Sequence, residues 1–181
     1  MILAISGSLR RSSLNSAALR AAARAAARSG ISVRLDESAP GLPPFDPDLE
    51  ADPPTNVAHF RAACVQAEAL LFAVPEYAFG IPGAFKNALD WTVGSGALYR
   101  KPVAVLSVAP PGRGAQVRRA LELVLTALDC SASWHHIPIH PSRLDDGEIH
   151  DGDIVGEFAM VEALARRRQH RSDGAESALS A

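Results

Sequence analysis

Cysteine is nearly absent from this chain of 181 residues, which contains only Cys64 and Cys130. The two lie far apart in the sequence and match no spacing of metal ligands. We therefore expect each to be a small buried apolar residue, because free cysteine packs in this way in most proteins.

Long apolar runs and a strong net charge are also lacking. No stretch approaches the roughly 18 apolar residues of a membrane span, and the apolar start is too short for a signal peptide. The formal net charge is only −2, which gives no general attraction to nucleic acid or to an anionic membrane. The sequence thus predicts a cytoplasmic protein with no nucleic-acid or membrane partner.

Segments typical of strands and helices alternate along the whole chain. Short apolar runs predict five strands, at residues 2–6, 31–35, 69–74, 102–108 and 133–139. Helical propensity and periodicity predict five helices, at 15–28, 57–67, 82–93, 117–128 and 154–165. This alternation implies an α/β fold with a parallel sheet and helices on both faces. We expect one domain over residues 1–170 and a flexible tail at 171–181.

The loop after the first strand is rich in hydrogen-bond donors. It reads ISGSLRRSSLN from Ile5 to Asn15, directly before an alanine-rich helix. A helix N-terminus at this edge of a parallel sheet offers unpaired N–H groups and partial positive charge, which suit a phosphate. Hydroxyl, guanidinium and amide groups add further donors, from Ser8, Arg10, Ser13, Asn15 and Ser16. The alternative is a capped turn, with Ser12 or Ser13 as N-cap and solvated arginines.

A second shaped loop begins where the third strand ends. It reads VPEYAFGIPGAFKNALDW from Val74 to Trp91. Its prolines and glycines hold a non-helical path that can direct backbone N–H groups at a flat ligand, and Tyr77 adds aromatic surface. Glu76 is the one acid at the strand tip, and its alternatives are a solvated loop acid or a helix cap.

Other charged clusters predict no site. Adjacent histidines on a strand point to opposite faces, so His135, His136 and His140 do not predict a shared metal. The acidic segment 145–153 lacks EF-hand spacing and is interpreted as a turn before the last helix. The arginines at positions 20, 24 and 28 are expected to form a solvated helix face, and the basic run 166–171 a solvated helix end.

Together the two loops resemble the NADPH-dependent FMN reductase family, which includes quinone, chromate and azo reductases on a flavodoxin-like fold. The resemblance rests on G-S-L-R-x-x-S-x-N after the first strand and P-E-Y-x-x-x-x-P-G-x-x-K-N-A-x-D-W after the third. It implies a three-layer sandwich with strand order 2-1-3-4-5. It also implies that the first motif holds the FMN phosphate, through Ser8, Arg10, Ser13 and Asn15, with Ser16 beside them. The second motif would lie against the isoalloxazine ring, through Pro75, Glu76, Tyr77 and Ala78.

The resemblance further implies an FMN-dependent enzyme that takes a hydride from NADPH or NADH. Two electrons would pass to a quinone, azo, chromate or free-flavin acceptor, with no side chain assigned to proton transfer and no metal. The alternatives are a flavodoxin-type electron carrier, which the net charge of −2 disfavours, and a family member without flavin.

A homodimer or homotetramer is also implied, because relatives complete the flavin crevice with a neighbouring subunit. If Phe79, Phe85, Trp91 and Tyr99 are exposed together, they mark this interface. The alternative is that these four side chains belong to the core.

Two positions depart from the family pattern. Ala78 stands where the family usually has asparagine, and the loop 107–116 is shortened. Loss of one neutral hydrogen bond costs about 0.5–1.5 kcal/mol. We therefore expect FMN to bind loosely, and Ala78→Asn to tighten its binding.

Overall fold

The structure is a computed structural model that describes residues 1–110, 112–137, 144–145 and 148–149. The main strands are β1 (Ile2–Ser6), β2 (Val33–Asp36), β3 (Ala69–Ala73), β4 (Pro102–Val108) and β5 (Ser131–Ile137). The helices between them are α1 (Leu14–Arg28), α2 (Thr55–Gln66), α3 (Gly83–Val93) and α4 (Ala115–Ala127). Helix 154–165, the basic run 166–171 and the tail 171–181, all expected from the sequence, lie outside the described residues.

The five strands form one parallel sheet in the order β2-β1-β3-β4-β5. Ile2 of β1 lies opposite Val33 of β2 on one side and Ala69 of β3 on the other. The predicted parallel sheet and its strand order are confirmed. Strand order reverses at β1, so a crevice forms beyond the carboxyl ends of β1 and β3.

Helices pack on both faces of the sheet. Side chains from α2, α3 and α4 share one core with Phe72 of β3 and Val105 of β4. Helix α1 covers the opposite face, mainly with alanines, against Ala4, Leu71 and Leu106. Alanine is the strongest helix former, and it lets the helix and the sheet approach closely.

A two-stranded hairpin follows β5, formed by β6 (Leu144–Asp145) and β7 (Glu148–Ile149). Glu148 accepts hydrogen bonds from Arg20 Nε at 2.5 Å and from Arg24 Nη1 at 2.7 Å. Burial would raise the pKa of Glu148, but the bonds from Arg24 and Arg20 outweigh it and hold the pKa below its usual value. Arg24 is exposed and Arg20 is half-buried, so the expected arginine face is solvated in part, but both side chains also pair with Glu148. The hairpin also occupies part of the segment that we interpreted as a turn.

Two of the four aromatic residues expected at an interface belong to the core. Phe85 is 2% exposed and packs edge-on against Phe72, with 5.2 Å between ring centroids. Trp91 is fully buried, and its indole N–H donates to the Pro43 carbonyl at 2.8 Å. Phe79 and Tyr99 are exposed, but they lie beyond opposite ends of α3. The four side chains thus form no continuous patch.

Both cysteines are free. Cys64 is fully buried, as the sequence predicts, whereas Cys130 is only half-buried, so the expectation of burial holds for Cys64 alone. Burial raises the pKa of the Cys64 thiol to about 12 and that of the half-buried Cys130 thiol to about 11. No helix among the described residues is both long and apolar enough to cross a membrane.

Candidate functional site

A cleft of about 550 Å³ lies beyond the carboxyl ends of β1, β3 and β4. Its volume is within the roughly 300–1,000 Å³ range of small-molecule sites. The loop after β1 contributes Ser8, Arg10, Ser12, Ser13, Leu14 and Asn15. The loop after β3 contributes Pro75, Glu76 and Tyr77, and the segment after β4 contributes Val108, Ala109, Pro110 and Arg113.

Hydrogen bonds between serine residues fix the conformation of the loop after β1. The hydroxyls of Ser6 and Ser16 are 2.9 Å apart, and the Ser8 N–H donates to Ser6 Oγ at 3.2 Å. Ser13 is the N-cap of α1, with its Oγ accepting from the Ser16 N–H at 3.4 Å. Ser16 therefore supports the loop through Ser6 and is not part of the cleft lining.

The start of α1 presents polar groups whose hydrogen bonds are unmet. Within the described residues, no partner accepts from the backbone N–H of Leu14 or of Asn15. The Asn15 side chain is 5% exposed, and its buried Oδ1 has no partner there either. The two ends of an asparagine amide are assigned from hydrogen bonding and can be interchanged. A phosphate would satisfy these N–H donors, with the Arg10 guanidinium as counter-charge, so the donor set fits FMN.

The loop after β3 forms a tight hairpin turn beside the cleft. The backbones of Tyr77 and Gly80 exchange two hydrogen bonds, of 3.2 and 2.9 Å. The intervening Ala78 and Phe79 have φ values of 48° and 60°, as a type I′ turn requires. Ala78 is exposed and is not part of the cleft lining.

Glu76 joins the second loop to α4. Its Oε2 accepts from the backbone N–H of Gln116 at 2.9 Å and of Val117 at 3.0 Å. Helix α4 needs this cap, because its own N-cap residue is Gly114, which has no side chain to accept these bonds. The carboxylate also lies at the positive end of the helix dipole. The helix-cap alternative from the sequence is therefore the observed arrangement.

Arg113 is a cleft residue that we did not identify from the sequence. It lies between Gly112 and Gly114, whose φ values are 79° and 91°, in a turn closed by the bond from the Arg113 N–H to the Pro110 carbonyl. A Cβ on Gly114 would come within 2.8 Å of Ser107 Oγ, so the turn requires glycine there. The sequence gives little signal for it, because the position of Arg113 in the cleft depends on the fold of the glycine turn after β4.

Metal binding finds no support in the part of the chain that is described. No group of three or more histidine, cysteine or acidic side chains comes together there. His140, one of the three histidines considered above, is outside the described residues.

Comparison with known proteins identifies relatives over most of the chain. The model of the family described as NADPH-dependent FMN reductase matches residues 1–135. A probable NADPH:quinone oxidoreductase 1 from Oryza sativa subsp. japonica is 39% identical over 133 residues, which cover 71% of this chain and 68% of that protein. A 2-hydroxy-1,4-benzoquinone reductase from Burkholderia sp is 32% identical over 163 residues, 86% of each chain.

A solved structure is also similar. FerB, a flavoenzyme NAD(P)H:(acceptor) oxidoreductase from Paracoccus denitrificans, has a TM-score of 0.70 and 25% identity, over 93% of this chain and 97% of that one. Two further relatives are each 44% identical to this chain. The matched part of the chain spans about half of their length, 46% of one and 48% of the other. These matches and the two loop motifs show that the chain belongs to the NADPH-dependent FMN reductase family.

Proposed function

We propose that this protein is an FMN-dependent oxidoreductase that transfers two electrons from NADPH or NADH to a small-molecule acceptor. The observation that carries the proposal is one cleft that joins a donor-rich helix N-terminus to the shaped loops after β3 and β4. The two relatives named above as quinone reductases support a quinone as the acceptor. Azo compounds, chromate and free flavin are the other acceptors that the family suggests.

The loop after β1 would hold the FMN phosphate. The N–H groups of Leu14 and Asn15 would donate to it, with side-chain donors from Ser8, Arg10, Ser13 and Asn15. Pro75, Glu76 and Tyr77 would border the ring, with Glu76 acting through its backbone because its carboxylate caps α4. When bound, FMN supplies the hydride and two-electron chemistry, and the protein binds and orients it.

Charge in the cleft favours an anionic ligand. Arg10 and Arg113 line it, and Glu76 is the only acid among its described lining residues. That carboxylate is neutralised in part by two backbone N–H groups. No side chain needs to transfer a proton in this proposal, since backbone N–H groups near Tyr77 can stabilise negative charge on a bound ring.

The proposal includes a homodimer or homotetramer in the cytoplasm. Tyr77 and Phe79 are 53% and 75% exposed at the edge of the cleft. Apolar surface beside a site is typical of a subunit contact. A second subunit would then cover the open side of the cleft.

Two measurements test this function. Flavin-free protein is titrated with FMN by calorimetry, and the FMN-loaded protein is then mixed with NADPH or NADH without oxygen. We expect binding, followed by loss of the visible flavin absorbance and its return when a quinone is added. Bound flavin that stays oxidised without a partner reductase would indicate an electron carrier, and absence of binding would indicate a flavin-free family member.

A further inference from the structure

A second groove, of about 330 Å³, adjoins the cleft and shares Arg113 with it. We call it the β4–β5 groove, because it lies between the start of α4 and the carboxyl ends of these strands. It is lined by Ser107, Gly112, Arg113, Gly114, Ala115, Arg118, Trp134, His135 and His136. Two arginines and two histidines are its titratable lining residues, and no carboxylate is among the described ones. A chain with a net charge of −2 thus places a groove whose described titratable lining residues are all arginine or histidine beside its cleft.

Arg118 and Trp134 give the groove a stacked cationic wall. The Arg118 guanidinium lies over the Trp134 ring, 5.2 Å from its centroid, as cation–π pairs do. Its Nε donates to Glu122 Oε1 at 2.8 Å. Its two Nη groups have no hydrogen-bond partner among the described residues, and its side chain is 54% exposed. The guanidinium is thus held in position with four N–H donors available to an anion.

We propose that the β4–β5 groove binds the phosphate-bearing part of the nicotinamide dinucleotide that reduces the enzyme. The inference rests on the proposed function, because it assigns a subsite to the reductant of that reaction. A dinucleotide must place its nicotinamide in the cleft while its phosphates and its second base extend elsewhere. The groove adjoins the cleft at Arg113, its described titratable lining residues are two arginines and two histidines, and its wall carries the Arg118 guanidinium stacked on half-buried Trp134. A neutral quinone needs none of these features.

Arg118→Gln tests the proposal, because Arg118 lines the groove and not the cleft. The measurement is calorimetric titration with NADP⁺, both of flavin-free and of FMN-loaded protein. We expect the variant to bind NADP⁺ about tenfold more weakly. This is the smallest change expected when one charge-assisted hydrogen bond is lost. Arg118→Lys should recover part of the affinity, because it restores the charge without the planar fork.

Two matched controls separate the groove from general charge effects. Glu122→Gln breaks the ion pair with Arg118 but leaves the cation in place, so NADP⁺ affinity should not fall. Arg119→Gln removes one positive charge from the neighbouring exposed position on α4, outside the groove lining. It should leave the affinity nearly unchanged. Equal losses in the Arg118 and Arg119 variants would overturn the assignment, because they would indicate long-range charge attraction.

Steady-state kinetics with a neutral quinone give a second readout. Arg118→Gln should raise KM for NADPH about tenfold and leave kcat unchanged. It should not alter the rate with N-benzyl-1,4-dihydronicotinamide, a reductant that has no phosphate. Unchanged NADP⁺ affinity, or an effect confined to KM for an anionic acceptor such as ferricyanide, would overturn the proposal. FMN titration separates this proposal from the proposed function. If the wild-type protein does not bind FMN, but Arg118→Gln still weakens NADP⁺ binding, only the proposed function is refuted.

Discussion

Single residues at the start of α1 decide whether the cleft receives a phosphate. Asn15 is buried with an unpartnered oxygen, and the neighbouring N–H groups are unpaired within the described chain. Buried polar groups of this kind are rare, because each costs free energy comparable to a lost hydrogen bond. The first N–H groups of any helix lack intrahelical partners, so it is the buried Asn15 amide beside them that supports the proposed phosphate site.

Arg10→Ala should weaken FMN binding by about tenfold or more. A charge-assisted hydrogen bond contributes about 1.5–3 kcal/mol, and exposure of Arg10 places the effect at the lower end of that range. Calorimetric titration of flavin-free protein measures it. Arg11→Ala is the matched control, because Arg11 is also exposed but does not line the cleft. Equal dissociation constants for wild type and Arg10→Ala would remove Arg10 from the site.

Ala78→Asn should stabilise the fold and leave FMN affinity unchanged, in contrast to the expectation from the sequence. Ala78 is exposed, is not a cleft-lining residue, and has a φ of 48°. Asparagine tolerates positive φ better than alanine does, so the family's usual residue here has a backbone explanation. We expect a gain of up to about 1 kcal/mol in unfolding free energy, measured by urea denaturation.

Ala78→Val is the opposite control, because β-branching disfavours positive φ. It should lower the unfolding free energy. If Ala78→Asn binds FMN more tightly with no change in stability, residue 78 contacts the flavin directly, as the sequence led us to expect.

Strands and helices differ in how well the sequence predicts them. Strands 2–6 and 102–108 were predicted with the bounds that the structure has for β1 and β4. Both are interior strands covered on both faces, so their apolar runs are continuous. The first residues of β2 and β5 were each misplaced by two positions. These two strands are the edge strands, where exposed positions interrupt the pattern.

The connection between loops was beyond sequence reasoning. Glu76 and Gln116 are 40 positions apart. No local sequence pattern therefore indicates that the Glu76 carboxylate caps α4, the helix that contains Gln116. Serines and arginine in the first loop could be identified because a helix start and a strand end lie directly beside them in the sequence. Arg113 was missed because its cleft position depends on the fold of the glycine turn.

Glu76→Ala should destabilise the protein through α4. Loss of an N-terminal cap costs about 0.5–2 kcal/mol, and urea denaturation should show that difference. Glu76→Gln keeps a hydrogen-bond acceptor but removes the charge at the helix N-terminus, so the unfolding free energy should fall less than in Glu76→Ala. FMN affinity should fall in the same order, since the bond holds two walls of the cleft together. A fully stable Glu76→Ala variant would show that the cap contributes nothing.

At the scale of the whole molecule, the Tyr77–Gly80 turn exposes Tyr77 and Phe79 beside the cleft. Exposed aromatic side chains there have no partner within the described chain that would explain them. Their position next to the cleft, rather than their number, supports a subunit contact. Of the other three aromatic residues expected at an interface, Phe85 and Trp91 are core residues, whereas Tyr99 is exposed beyond the other end of α3.

Light scattering should give a mass of at least twice the 19.1 kDa of one chain. Phe79→Glu should shift the protein toward the monomer, because it introduces a charge where an apolar contact is proposed. Leu123→Glu is the matched control, since Leu123 on α4 is equally exposed, at 75%. A wild-type monomer at micromolar concentration would contradict the oligomer, and equal effects of both substitutions would contradict this location.

The environment of the two cysteines has a consequence for the proposed reaction with quinones. Quinones are electrophiles that arylate thiolates, and only the deprotonated sulfur is nucleophilic. With the pKa of Cys130 raised to about 11, roughly one Cys130 side chain in ten thousand is ionised at neutral pH, and Cys64 is inaccessible as well. The folded protein should therefore resist alkylation by a quinone, the acceptor class proposed above. Its intact mass should be unchanged after many turnovers, whereas the unfolded chain should gain adducts at both positions.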